Sequence, residues 1–341
     1  MKKSSISIIL ILSVLAGISI YVYKNKSKST TLDTEASNFK FKDTANVDKI
    51  FLADKDGKAL TLERIEGVWM LNNTYKVRPD IMETLLKTIA TVEVKSPVSK
   101  LGKENVIKVM ASKSVKVEIY SKGEKVKQYY VGHTTQDHLG TYMLLTNLET
   151  NENYSAPFIT HIPGFDGFLN TRFITDEIDW RDRTVINIRP PQIKYIKMEL
   201  HEIPDSSYMI DLISMQRFTL KTLKGKNLPF QESRIKQFIA YFLNVNCEAA
   251  LDEKSNLVDS LTKKALPFAT ITITDRNSKT QSINLFHKEP NASKNAEYGV
   301  DYKYDPDRLY IRYNDDKAFG LGQFYVFGKI LQTYAYFLPN K

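Results

Sequence analysis

The sequence predicts an α+β fold: a duplicated unit of antiparallel sheet, built from hairpins and meanders, with helices packed on one face and a single transmembrane helix before it. Three observations carry that expectation. Short stretches with period-two alternation are separated by Gly and Asp turns, which is the mark of hairpins. Apolar stripes of helical spacing occur only after such meanders. The same order of events returns about 150 residues later.

The first element is the run Ile6 to Tyr23, "ISIILILSVLAGISIYVY", which carries no charge. Eighteen residues at about 1.5 Å each give roughly 27 Å, enough for a hydrocarbon core. Its apolar stretch runs past the length of a cleaved signal peptide, so an uncleaved signal-anchor is expected over 1–28, with basic flanks. A polar tether, "KNKSKSTTLDTEASN", leads through residues 29–45. The expected location is the bacterial inner membrane, single-pass, with the body facing the periplasm or cell exterior.

The first unit is expected over 46–187. "KIFLAD", "ALTLERI" and "VWML" form a meander turning at Asp56-Gly57 and Glu66-Gly67. Pro79 then opens a helix, with Asp80 in its first turn and Ile81, Leu85, Leu86 and Ile89 on one stripe. "VKVEIY" returns through Lys122-Gly123 into "VKQYYVG", and "TYMLL" follows. The second unit, 188–341, repeats this more loosely. "YIKMEL", "SYMIDLI" and "RFTLKTL" precede a helix with Ile235, Phe238, Ile239 and Phe242 at i, i+3, i+4 and i+7. "FATITITD" pairs with "TQSINLF" across Asn277-Ser278, "LYIRY" matches "TYMLL", and a last helix is expected over "QFYVFGKILQTYAYF".

Composition narrows the function. The chain has 341 residues, 42% hydrophobic, which excludes a largely disordered protein. The net charge is +9, but five lysines precede Ser29; the rest carries 43 basic against 39 acidic residues, a net +4. A nucleic-acid partner, which selects a basic stripe on the folded body, is not expected. One cysteine, Cys247, allows neither an internal disulfide nor a thiolate metal cluster.

Chemistry-bearing residues are sparse. "VGHTTQDHLGTYM" places His133, Asp137 and His138 in one interstrand loop, two imidazoles and a carboxylate that a divalent metal accepts. "DYKYDPDRLY" clusters Asp301, Asp305 and Asp307 without EF-hand spacing. No G-x-S-x-G elbow, Walker loop or dinucleotide loop occurs. Trp69, Tyr142 and Trp180 are the candidates for a ligand or partner surface.

The order "L-x-R…W-x-L-N", an "LL-x-x-I" helix, "KVEIY", "YYVG", "TYMLL" and "WRDR" resembles the bacterial family known as domain of unknown function 4340. That resemblance covers nearly all of the chain after the tether. It implies an uncharacterised envelope protein, with some relatives similar to accessory components of gliding-motility-type ABC transporters, and it transfers no catalytic residue. The expected function is therefore a membrane-anchored, non-enzymatic accessory or interaction protein with an envelope protein partner and no cofactor. The alternatives are a glycan- or small-ligand-binding module and a carboxylate- or metal-dependent hydrolase.

Overall fold

The structure is a computed structural model that describes residues 35–290, 299–314 and 317–339, and the single position Ala16. It divides into two compact units, Met1–Glu177 and Ile178–Lys341.

In the first unit a nine-stranded antiparallel sheet has the order β4-β3-β2-β1-β6-β7-β8-β9-β5. The meander is β1 (Val47–Ala53), β2 (Ala59–Ile65), β3 (Val68–Leu71) and the short β4 (Tyr75–Lys76). Helix α1 (Pro79–Thr91), strand β5 (Glu93–Pro97) and helix α2 (Lys103–Ser112) intervene before the long strands β6 (Val115–Ser121) and β7 (Glu124–Thr134). Then come β8 (Thr141–Leu145) and β9 (Phe158–His161). Alternation drives this: Ile50, Leu52, Leu60, Leu62, Val117 and Ile119 are buried, and the residues between them face the other side. The Lys122-Gly123 turn has φ +55° and +80°, the left-handed pair that matches strand twist in a two-residue hairpin. Packing begins early in the chain, with Ala36 and Phe39 buried.

The second unit holds an eight-stranded antiparallel sheet, β13-β12-β11-β16-β17-β18-β19-β15. The short helix α3 (Glu177–Trp180) leads into strand β10 (Thr184–Ile186). A meander of β11 (Ile193–Leu200), β12 (Tyr208–Ser214) and β13 (Arg217–Thr222) is followed by α4 (Glu232–Ala240). Strand β14 (Val245–Asn246) pairs with β10 in a separate two-stranded sheet. The edge strand β15 (Ala249–Ala250) and α5 (Asn256–Lys263) precede the four-strand run β16 (Ala269–Asp275), β17 (Thr280–His287), β18 (Arg308–Tyr313) and β19 (Ala318–Gln323), which ends in α6 (Phe324–Phe327). Ile235, Phe238 and Ile239 of α4 and the neighbouring Phe242 are buried in the core with Ile196, Met198, Ile210 and Ile271 of the sheet.

The two sheets share one strand order. In each, the first strand pairs with the strand that follows two helices, and a short strand lying between those helices in sequence closes the far edge. The register sets residue equivalences. Leu52 pairs with Val117, which pairs with Tyr129; Met198 pairs with Ile271, which pairs with Ile283. Val131 opposite Met143 thus matches Leu285 opposite Ile311.

Three expectations are corrected here. The fold is predominantly β rather than α+β: two large sheets carry the architecture, and the longest described helix has thirteen residues. The described helices are too short and too few to form a layer comparable with the sheets. The last expected helix, 323–337, is helical only at Phe324–Phe327, with a 3-10 turn at Tyr334–Phe337. Its rings are rich in aromatics with weak helix propensity, and Phe327, Ile330 and Phe337 reach the core without regular structure. The third correction concerns the signal-anchor, membrane attachment and single-pass inner-membrane location. Among the described residues no helix is long and apolar enough to cross a membrane. Thirteen residues span about 20 Å against a core of about 30 Å. Apart from Ala16, the run Ile6 to Tyr23, on which those expectations rested, lies outside the described residues.

Candidate functional site

The register puts the two clusters singled out in the sequence at equivalent positions, one in each unit. His133 lies two residues beyond Val131 at the end of β7, and His287 lies two beyond Leu285 at the end of β17. Asp137 precedes Met143 by the same interval as Asp305 precedes Ile311. Each unit therefore places one imidazole and one carboxylate where its long hairpin strand gives way to the next strand.

In the first unit, His133 lies against Tyr142 of β8, ring centroids 4.8 Å apart. Its Nδ1 is buried without a hydrogen-bond partner, and burial lowers its pKa below the ordinary imidazole value. Asp137 is exposed, yet its carboxylate is turned onto its own loop. Oδ1 accepts from the Thr135 hydroxyl and from Leu139 N at 3.0 Å. The Thr135 bond is the main reason its pKa falls. His138 occupies the left-handed region (φ +58°), and its ring lies 6.0 Å from Phe168. Gly140 is required by close approach: a Cβ there would sit 2.5 Å from Ile159 Cγ2. The loop is thus closed by its own hydrogen bonds. Among the described residues no group of three or more His, Cys, Asp or Glu side chains could hold a metal ion.

In the second unit the histidine is sandwiched. His287 stacks at 3.8 Å and 2° on Tyr304 and at 4.3 Å and 23° on Phe268. Its Nε2 lies 3.1 Å from Glu202 Oε1, and its Nδ1 is buried and unpartnered. Asp305 is 4% exposed. Its Oδ1 accepts from Asp307 N (2.9 Å) and Arg308 N (3.0 Å), and its Oδ2 from Lys288 Nζ (3.0 Å). Burial alone would raise its pKa, but these donors outweigh it and the value falls. A carboxylate so engaged holds a turn. Of its two expected neighbours, Asp301 is exposed and Asp307 lines a surface recess.

That recess, about 340 Å³, is bounded by Pro306, Asp307, Arg308, Gln323, Phe324 and Tyr325. Its two walls are pinned together by Phe324 N donating to Asp307 O at 2.9 Å. Arg308 grips Glu248 through Nε (2.8 Å) and Nη2 (3.0 Å), the bidentate geometry a guanidinium favours. Gln323 hydrogen-bonds the same carboxylate, and the Arg308 bond is the first reason the Glu248 pKa is lowered. Tyr325 is 80% exposed, with Lys329 Nζ 4.8 Å from its ring centre.

The other expected surface residues do not converge. Trp69 on β3 is half-buried, with the Arg64 guanidinium 4.9 Å over its ring. Tyr142 on β8 is half-buried against His133, and four strands of the sheet separate it from Trp69. Trp180 is fully buried. Cys247 is a buried thiol whose pKa burial pushes up to about 11. Phe268, His287, Tyr304 and Tyr325 were not singled out from the sequence, and Phe324 only as part of the stripe of the last expected helix. The signal existed, because carrying His133 through the repeat lands on His287.

Comparison of the chain with protein-family models, with curated proteins and with solved structures finds no match in any of the three.

Proposed function

We propose that this chain is a non-enzymatic accessory protein that acts by binding, and that the recess of the second unit is its contact site. One observation supports this reading above the rest. At both equivalent strand ends the carboxylates are engaged by their own loops, whereas in the second unit that position adjoins a recess bearing an 80% exposed tyrosine. Acid–base or metal chemistry needs groups whose lone pairs are directed at a substrate. Binding needs fixed walls and an exposed anchor, and tyrosine supplies large contact area at low entropic cost. The family resemblance would make the partner an envelope protein, such as a transporter component.

A photo-crosslinking residue at position 325 in cells, with Leu101 (99% exposed, first unit) as control, tests the reading. A discrete adduct at 325 and none at 101, analysed by mass spectrometry, is the expected outcome. Absence of any adduct at 325 rejects the contact site. Turnover of ester, phosphoester or glycoside substrates by the purified chain, abolished by His133→Ala, rejects the non-enzymatic reading.

A further inference from the structure

We infer that the recess of the second unit takes a neutral saccharide, with a sugar ring laid against Tyr325 and its hydroxyls held by Gln323 and Arg308. This rests on the binding reading above, and it gives the recess a saccharide where the family resemblance would give an envelope protein. Three features of the recess lead there.

The first is its shape. About 340 Å³ lies at the low end of small-ligand sites, which span roughly 300–1,000 Å³. It accommodates a compact unit and no large apolar body.

The second is the kind of surface it offers. Tyr325 is 80% exposed at the rim, and the half-buried Phe324 adds a second ring beside it. Lys329 lies over one side of the Tyr325 ring, so stacking uses the other. Next to these rings stand the heads of Gln323 and Arg308, planar and multidentate. The two bonds from Arg308 to Glu248 leave its remaining N–H groups as donors, and the Gln323 amide keeps donor and acceptor capacity beyond its bond to Glu248. A sugar ring presents an apolar C–H face and a rim of hydroxyls that each donate and accept, which fits one ring plus paired polar heads.

The third is charge. The Arg308–Glu248 pair cancels and Asp305 cancels Lys288; Asp307 on the lining and Lys329 over the Tyr325 ring add one charge of each sign. A phosphate or polybasic ligand finds no surplus of opposite charge there. The walls are also set in advance. Asp305 fixes the turn Asp307–Arg308, the Asp307–Phe324 backbone bond joins the two walls, and Tyr304, next to Asp305 in the chain, is held in the stack with His287 and Phe268. Preorganisation lowers the cost of binding.

The test titrates the full-length chain with two neutral probes, chitotetraose and maltotetraose, followed by calorimetry and by ¹⁹F NMR of fluorotyrosine-labelled protein. Saturable binding of at least one probe is expected, with the Tyr325 resonance shifting. Tyr325→Ala should weaken it at least about tenfold, Tyr325→Trp should hold it within about threefold, and Gln323→Ala should weaken it about threefold or more. Position 325 is exposed, so these variants keep the fold, as circular dichroism would check. No saturable binding of either probe, or binding unchanged in Tyr325→Ala, overturns the inference. If that happens while the position-325 adduct still forms in cells, the binding reading stands and the saccharide class falls. If neither is seen, both fall.

Discussion

Replacing Asp305 tests the architecture of the second unit most directly. The side chain is 4% exposed and accepts three hydrogen bonds, two from backbone N–H groups and one from the Lys288 ammonium. Asp305→Ala removes all three. Leaving a buried donor unsatisfied costs about 1–3 kcal/mol, and stranding one partner of a buried ion pair costs about 3–5 kcal/mol. Arg308 is itself half-buried and Lys288 can reorient toward water, so about 3 kcal/mol is expected in total. Asp305→Asn keeps an acceptor for the two N–H groups and loses only the charge, for about 1–1.5 kcal/mol. Asp137→Ala, at the equivalent position of the first unit, removes an exposed carboxylate and should cost about 1 kcal/mol or less. Urea unfolding followed by far-UV circular dichroism gives the order, fitted with two transitions because each unit has its own core. The acid limb provides a second reading. Asp305 has a lowered folded pKa, so its stabilisation is present above the unfolded value of 3.8 and is lost as pH falls through the lower folded value. Asp305→Asn should flatten that limb. An Asp305→Ala protein within about 0.5 kcal/mol of the parent would refute the assignment of this residue as the brace of the turn.

Other consequences follow from the same geometry. Trp180→Ala empties a fully buried site and should cost about 3–5 kcal/mol in unfolding experiments, whereas Tyr325→Ala should stay within about 0.5 kcal/mol. Cys247 should react with a thiol reagent far more slowly in the native chain than in denaturant at pH 8, since burial holds its thiol protonated up to about 11. His133 should titrate in an NMR experiment below the free imidazole value of 6.5. Because its folded pKa is lowered, the first unit loses stability as pH falls below that value, where the unfolded chain takes up the proton first. Arg308→Met should cost about 1 kcal/mol and release Glu248 toward its ordinary 4.5, measurable by carboxylate NMR.

Several elements were readable before any coordinates. The pairing of "FATITITD" with "TQSINLF" is found as β16 with β17, turning at the positive-φ Ser278. The first meander and the Pro79 start of α1 also lie where alternation and turn residues put them. Other readings missed. The stripe expected on α1 was Ile81, Leu85, Leu86 and Ile89, but the buried set is Met82, Leu85, Thr88 and Ile89. Thr88 can be buried because it donates to Thr84 O and accepts from Arg172 Nη1, a partner 84 residues away. Helices α2 and α5 went unread because each buries only two side chains, Val106 and Met110 in one, Val258 and Leu261 in the other.

What the chain order alone determined is local: where strands alternate, where hairpins turn, where proline starts a helix. Those follow from backbone sterics and from period-two burial, which act over a few residues. Tertiary structure decided the rest. It made the sheets dominant, turned Asp137 and Asp305 onto their own loops, buried Trp180, set His287 between two rings, and left Tyr325 exposed at a recess. The physical reason is that the chemical state of a carboxylate or a ring depends on neighbours brought in by sheet register, and register is a property of strands far apart in sequence.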